Sequence, residues 1–241
     1  MSLTGRRANN EDALLELPAR GLFAVADGMG GYEGGEVASR AALASIQAYC
    51  DMLDDTGLGL RDMGDADGEQ MVRERLELAI RVADREVRRR AVGVLRRMGT
   101  TLALLAIGET KAMIAHVGDS RVYRMREGEV SVLTRDHSLL NEMRAAGLGG
   151  AADTGQFRLK NIITQALGQG RTVVPDLTAV DVLPGDRFLL CSDGLSDVLD
   201  DEAIAWAMTS KNDVARSLAD AAYEAGSHDN ITALVVTASD R

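Results

Sequence analysis

The stretch TLALLAIGETKAMIAHVGDSRVYRMREGEVSVL, Thr101 to Leu133, decides the fold. It breaks at Gly108, Gly118 and Gly128 into four strand-like runs: Thr101–Ile107, Ala112–Val117, Arg121–Met125 and Val130–Leu133. Only short turns separate them. Parallel neighbours need long crossovers, so these strands pair antiparallel. The first run is apolar after Thr101 and does not alternate, which predicts a strand covered on both faces.

Working outward, Ala13–Leu17 and Leu22–Ala26 predict a hairpin turning at Pro18-Ala19-Arg20-Gly21. A helix follows over Glu36 to Leu53, with Ala38, Ala41, Ala42, Ile46, Tyr49 and Leu53 at helical spacing. Asp54 to Gly68 is polar and glycine-rich and predicts an exposed loop, with Asp67-Gly68 as a turn. A second helix carries Val72, Leu76, Ala79, Ile80, Ala83, Val87 and Ala91 on one face. Its Arg88-Arg89-Arg90 complements the macrodipole and reads as a solvated face. Residues 136–170 are rich in Gly and Ala and predict a flap with little core of its own, with a helix over Ser138–Ala146. Strands resume at Leu177–Val182, Arg187–Ser192 and Ile231–Ala238, with helices over Glu202–Met208 and Val214–Glu224. Strands clustered between helical pairs predict an α+β fold: two mainly antiparallel sheets face to face, helices outside. With no repeat and no linker, residues 1–241 read as one domain.

The 241 residues carry 46% hydrophobic and 27% charged residues, an ordinary globular balance. Three prolines and 3% aromatics leave the core to Ala, Val, Leu and Ile. A net charge of −10 argues against nucleic acid or an anionic membrane as the main partner. Cys50 and Cys191 are too few for a disulfide framework and read as reduced, packed thiols. No apolar signal-peptide core follows the N-terminus, and no run reaches the ~18 apolar residues of a membrane span. The expectation is a cytoplasmic protein.

Four acidic positions far apart in the chain carry the chemistry: Glu11-Asp12, Asp27-Gly28, Asp193-Gly194 and Asp229-Asn230, each beside a buried strand. A carboxylate at the mouth of a core strand is costly unless a cation neutralises it. Several that converged would repel one another, which points to divalent metal. Oxygen ligands favour Mg²⁺ or Mn²⁺ over zinc. A single Asp-Gly pair is usually a turn. Here one arrangement repeats, as Phe23-Ala24-Val25-Ala26-Asp27-Gly28 and as Phe188-Leu189-Leu190-Cys191-Ser192-Asp193-Gly194.

Competing motifs fail. Asp65-Ala66-Asp67-Gly68 resembles the opening of a calcium loop, but the glycine comes two positions early and the twelfth-position glutamate is missing. Glu33 stands where a dinucleotide fingerprint needs its third glycine. There is no phosphate loop, Cys191 lacks the arginine of a cysteine phosphatase, and Ser192 lacks the glycines of a nucleophile elbow. No two histidines stand at zinc-ligand spacing.

Taken together, Arg7-Ala8-Asn9-Asn10-Glu11-Asp12, Asp27-Gly28-Met29-Gly30-Gly31, Val117-Gly118-Asp119-Ser120-Arg121, Asp136-His137-Ser138, Ile162 to Gly168, Ser192 to Asp197 and Asp229-Asn230-Ile231-Thr232 resemble the metal-dependent (PPM, type 2C) Ser/Thr protein phosphatases, the bacterial branch above all. The order is the family's and the match spans essentially the whole chain. The resemblance implies an αββα sandwich with a flap subdomain over about 136–170. It implies that Asp27 bridges two Mn²⁺ or Mg²⁺ ions, with the Gly28 carbonyl on one and Asp193 and Asp229 on the other. Asp119, with Asp193 or Asp197, matches a weaker third metal position. Glu11 and Asp12 would act through metal-bound waters, with Asp197 and Asn230 also behind the ligands. Arg7 matches the arginine that grips the substrate phosphate, a bidentate task poorly suited to lysine.

The implied reaction is hydrolysis of phosphoserine or phosphothreonine by a hydroxide bridging the two metals, without a phosphoenzyme. Arg7, Asp27 and Asp193 are the residues on which catalysis would rest. The implied partners are phosphoproteins, among them a Ser/Thr kinase that the enzyme opposes, with the chain acting as a monomer. Two positions depart from the family. Animal members carry a histidine after the Asp-Gly; here it is Met29, so the leaving oxygen would be protonated by a bound water or by His137, whose place otherwise reads as structural. Gln165 stands where many relatives have arginine. The alternative is a pseudophosphatase kept as a scaffold or regulatory binding module, although Asp27, Gly28, Asp193 and Asp229 are all intact. A third reading is a phosphatase for a small molecule.

Overall fold

The computed structural model describes residues 1–30, 34–55, 59–148, 159–170, 172–210 and 213–239. In chain order the elements are β1 (Ser2–Leu3), β2 (Ala13–Leu17), β3 (Leu22–Ala26), β4 (Gly28–Met29), α1 (Gly34–Asp55), α2 (Ala66–Arg90), β5 (Gly99–Thr100), β6 (Leu102–Ile107), β7 (Lys111–Val117), β8 (Arg121–Arg126), β9 (Glu129–Val132), α3 (Leu139–Ala145), β10 (Asp176–Asp181), β11 (Arg187–Cys191), the single turn α4 (Asp193–Ser196), α5 (Asp201–Met208), α6 (Val214–Glu224) and β12 (Ile231–Thr237). One sheet runs β1-β12-β11-β8-β9 and the other β10-β7-β6-β3-β2, while β4 and β5 form a small ribbon. Their pairings are antiparallel.

Side-chain alternation sorts the strands into layers. Leu102, Leu104 and Ala106 of β6 pack with Ile46 of α1 and Leu76 and Ile80 of α2. Their neighbours Ala103 and Leu105 point the other way and meet Phe188, Leu190 and Leu234 of the opposite sheet. In β11, Leu189 and Cys191 face Ile204 of α5 and Leu218 of α6. Helices, sheet, sheet, helices: the layers are αββα. The unbroken apolar run of β6 is thus covered on both faces, as its lack of alternation predicts.

The hairpin of β2 and β3 forms as expected, and so do the pairs β6–β7 and β8–β9. The expected pairing of the second and third runs does not form: at Gly118-Asp119-Ser120 the chain crosses from one sheet to the other, so β7 and β8 lie in different sheets. One boundary needs correction. The Asp65 side chain accepts the Gly68 N–H at 2.8 Å and starts α2 at Ala66, so Asp67-Gly68 lies in a helical turn and not in a loop. The segment before it is not uniformly exposed either, because Leu60 and Met63 are buried. Arg89 and Arg90 of the basic run pair with Glu86 on the surface, but Arg88 reaches inward to Asp84 and the carbonyls of Gln169 and Gly170. Much of the expected flap, residues 149–158, lies outside the described residues. Its first helix is α3, where Ser138 Oγ accepts the Asn141 N–H at 3.4 Å. Among the described residues, no helix is long and apolar enough to cross a membrane.

The layering makes Phe188, fully buried between the sheets, a core contact, whereas Trp206 on α5 is 79% exposed. Phe188→Ala is expected to cost about 3–5 kcal/mol of stability and Trp206→Ala no more than about 0.5 kcal/mol. Urea unfolding of the two variants checks this; equal effects would contradict the layer assignment.

Candidate active site

The strand registers bring the acidic positions to one edge. Ala13 pairs with Ala26, Leu102 with Val117, Arg121 with Cys191, and Cys191 with Ala233. Asp12, Asp27, Asp119 and Asp193 therefore leave their strands at the same end of both sheets, and Asp229 enters β12 there.

Hydrogen bonds then fix the backbone at this edge. The Asp27 N–H donates to Thr101 Oγ1 at 2.9 Å, and its carbonyl accepts from the Thr101 N–H and Thr100 Oγ1, each at 2.9 Å. The Glu11 carbonyl accepts from Ser39 Oγ at 2.6 Å and from the Gly28 N–H at 3.2 Å. Asn230 ties the N-terminal segment to β12: its Oδ1 accepts from the Glu11 N–H, and its Nδ2 donates to the carbonyls of Thr4 and Asn9. Ser192 Oγ donates to Asp12 at 2.8 Å and accepts the Thr232 N–H at 3.0 Å.

Two glycines are dictated by close approach. A Cβ on Gly28 would lie 2.1 Å from the Gly35 carbonyl oxygen, and one on Gly194 would lie 1.9 Å from that of Asn230. Each Asp-Gly pair is the place where backbone of another segment presses against the carboxylate's own chain.

The electrostatics are those of crowded like charges. Burial, followed by the charges of Asp12, Asp193 and Asp119, holds the Asp27 carboxyl well above the usual carboxylate range. Burial pushes Asp12 up to about 7 against hydrogen bonds from Thr232 and Ser192, with Asp193 and Asp229 adding to the rise. Asp119 rises to about 7 through burial and then Asp193. Asp193 rises to about 6 through burial and then Asp229. Glu11 is raised as well, chiefly by burial.

Asp12 Oδ1, Asp119 Oδ1 and Asp193 Oδ1 are buried with no hydrogen-bond partner. Three buried carboxylate oxygens left without a protein partner at one strand edge fit a divalent cation, and an all-oxygen donor set fits Mg²⁺ or Mn²⁺.

The remaining expected residues lie around this group. Arg7 stands at the rim, Nη2 on Asp229 Oδ2 at 2.7 Å and Nε on the His228 carbonyl at 3.2 Å. Asp197 is exposed and pairs with Lys160. His137 is bound into the scaffold: its N–H donates to the Gly118 carbonyl, its Nδ1 accepts the Gly118 N–H, and its Nε2 lies 3.2 Å from Asp176. His116 is a buried strand residue packed on the His137 ring at 4.8 Å, and burial, followed by the His137 charge, lowers it to about 4. Arg121 grips Asp136 with two hydrogen bonds, anchoring the segment that leads into α3. Sequence reasoning missed Ser39, Thr100 and Thr101, hydroxyl-bearing residues that brace the backbone of Glu11 and Asp27. Their only signal was adjacency to an acid or glycine motif, which is too common to single them out.

A four-layer αββα sandwich whose shared strand edge gathers carboxylates defines a metal-dependent phosphatase. The chain belongs to the protein phosphatase 2C family, whose match covers residues 3–225. It is 34% identical over 243 residues to the protein phosphatase PhpP of Streptococcus pneumoniae, covering 98% of this chain and 94% of that one. The crystal structure of the Mycobacterium tuberculosis serine/threonine phosphatase PstP/Ppp is similar with a TM-score of 0.83 and 31% identity, covering 100% of this chain and 97% of the other. A structure of the PstP catalytic domain in complex with two manganese ions gives 0.80 and 33%, covering 100% and 96%.

The raised carboxyls set a sign for stability. Without metal, the folded state holds protons on Asp12, Asp119 and Asp193 that the unfolded chain has released above about pH 4. That contribution is lost as pH rises through about 6 to 7. With chelator present, the melting temperature is expected to be lower near pH 8 than near pH 6, and excess Mn²⁺ or Mg²⁺ is expected to restore it most at the higher pH. Differential scanning fluorimetry reads both, and a metal-insensitive melting temperature at pH 8 would contradict the assignment.

Proposed function

We propose that this chain removes phosphate from phosphoserine and phosphothreonine in proteins, with Asp27, the Gly28 carbonyl, Asp193 and Asp229 holding two divalent ions and Asp119 contributing to a weaker third. The carrying observation is the set of buried, unpartnered oxygens on Asp12, Asp119 and Asp193. Residues kept apart by their own repulsion, yet anchored together through their backbones, make sense as a cation site. When bound, the ions would supply positive charge beside phosphorus and lower the pKa of water there toward neutrality.

The protein's own groups do the rest. Arg7 at the rim has its guanidinium on Asp229; a phosphate dianion entering the site competes for that same fork, so Arg7 transfers to the substrate and orients it. Asp12, held by Ser192, and Glu11, held by Asn230 through its backbone, accept hydrogen bonds from water and so position it for attack. Asp197 sits where it can join Asp119 and Asp193 around the third position, at present engaged by Lys160. Met29 has no proton to give, and His137 is fully engaged in structural bonds, which leaves protonation of the leaving oxygen to water.

The reading takes residues 1–241 as one catalytic domain, working as a cytoplasmic monomer. A phosphoserine or phosphothreonine substrate requires a Ser/Thr kinase to install the group, so the enzyme would oppose one. The intact carboxylate set disfavours a scaffold without activity. Mn²⁺ and Mg²⁺ both suit the donor set, and the manganese complex of PstP supports trying Mn²⁺ first.

Asp193→Ala is expected to reduce hydrolysis of p-nitrophenyl phosphate and of a phosphothreonine peptide by about a hundredfold or more. Because it removes one of several repelling carboxylates, the metal-free variant should melt no lower than the parent. Metal-dependent turnover surviving in Asp193→Ala would refute the assignment. Asp119→Ala is expected to slow turnover while calorimetry still counts two bound ions; undiminished activity would remove Asp119 from the mechanism.

A further inference from the structure

The pairing of β7 with β10 sets His116 directly across from Asp176. Cross-strand partners share a face of their sheet. His116 lies two residues from Ile114, so that face is the one turned toward the opposite sheet, where Ile114 joins the inter-sheet core. At this margin the sheets part into a cleft of about 190 Å³, with Ile114, His116, Thr134, Arg135 and Asp176 among its walls. His137 reaches the same place from the segment before α3. Its ring packs on that of His116, and its Nε2 lies 3.2 Å from Asp176 Oδ2.

His116 is 1% exposed, and both of its ring nitrogens are buried without a hydrogen-bond partner among the described residues. The Ser120 backbone stands beside the ring but outside hydrogen-bond geometry. A buried polar ring in this state is costly unless something else occupies its lone pair. One donor atom each from His116, His137 and Asp176 can be chosen so that all three lie within 4.8 Å of one another. The 3.2 Å between His137 Nε2 and Asp176 Oδ2 already matches the spacing of about 3.3 Å between two ligands on tetrahedral zinc. Closing the third ligand onto an ion asks for side-chain adjustment, not movement of the strands.

We propose that His116, His137 and Asp176 form a further metal site, separate from the acidic edge, that takes Zn²⁺. Two imidazole nitrogens and one carboxylate suit zinc, whereas Mg²⁺ and Mn²⁺ favour all-oxygen sets such as the edge provides. The site needs nothing from the phosphatase reading. Burial, followed by the His137 charge, lowers His116 to about 4, so its ring is neutral and able to ligate near pH 7. Asp176 is largely exposed and gives an ion its way in. Arg135 on the cleft wall has Nη2 turned to the Asn141 carbonyl at 2.9 Å. Zinc on His137 Nε2 displaces the hydrogen bond to Asp176, and the ring proton moves to Nδ1, where the Gly118 N–H is now accepted at 3.2 Å. Ion and Gly118 contact therefore exclude each other, and filling the site releases the residue before Asp119.

The test is zinc binding by the purified protein in excess Mg²⁺, read by competition with a zinc-responsive dye, with Co²⁺ as an absorbing substitute. A bound zinc ion is expected that Asp193→Ala leaves in place and that Asp176→Ala weakens by about tenfold or more. Co²⁺ is expected to give the visible bands of a tetrahedral, nitrogen-bearing site, and His116→Leu to abolish them. Circular dichroism checks that each variant is folded; if His116→Leu is not, Asp176→Ala, at its exposed position, decides alone. Three results would each overturn the site: no zinc uptake in Mg²⁺, only the weak bands of octahedral Co²⁺, or zinc affinity undiminished in Asp176→Ala.

Discussion

Mutual repulsion among Asp12, Asp27, Asp119 and Asp193 is the constraint on which the rest of the structure depends. Each is pushed up in pKa by burial and by its neighbours, so the folded chain works against itself at this edge unless a cation is present. What holds the group together is backbone. The bonds from Thr100, Thr101, Ser39 and Asn230 end on peptide groups of Asp27 and Glu11, not on the carboxylates. Anchoring the main chain while leaving Asp12 Oδ1, Asp119 Oδ1 and Asp193 Oδ1 unpartnered keeps the oxygens available to a ligand. Strain of this kind at a functional edge is sustained by stability elsewhere.

That stability comes from the two sheets. Every residue of β6 from Leu102 to Ala106 is buried, and strand alternation splits them between a helix-facing core and an inter-sheet core. A four-layer stack fixes the separation of the two strand edges, and so fixes how closely Asp27 of one sheet can approach Asp193 of the other. A single sheet with helices on one face could not set that distance, since nothing would hold the second carboxylate opposite the first.

The same physical logic explains what the sequence made legible. The lack of alternation in Thr101–Ile107 and the repeated strand-acid-glycine pattern at Asp27 and Asp193 are local signals that marked a strand covered on both faces and a set of acids at strand ends, while the two-sheet arrangement was read from strands clustered between helical pairs and from the family resemblance. The start of α2 was missed because Asp65-Ala66-Asp67-Gly68 has the composition of a loop. Only the capping bond from Gly68 N–H to Asp65 reveals the helix. β1, β4 and β5 span two residues each and carry no periodicity to read. The contacts of Ser192 with Asp12 and of Asn230 with Thr4 join residues about 180 and 226 positions apart, and such pairings emerge only from register. Arg88 illustrates the opposite error: a basic run at a helix end suggested solvent, and two of its three residues obey, while the third is turned inward by the buried carboxylate one helical turn before it.

The acidic edge and the loop beside it are therefore built from different parts of the fold. The carboxylates sit at strand ends, where the sheets dictate position and little can vary without loss of the core. The loop beside Met29 is held from behind, at 168–170, by Asp84 and Arg88. A substitution such as Gln165, on that loop and bonded through Val174 N–H, leaves untouched the contacts that fix the edge where the acids converge. The strands that crowd the charges and the loop beside them are thus fixed by separate sets of contacts, so a change in one need not disturb the other.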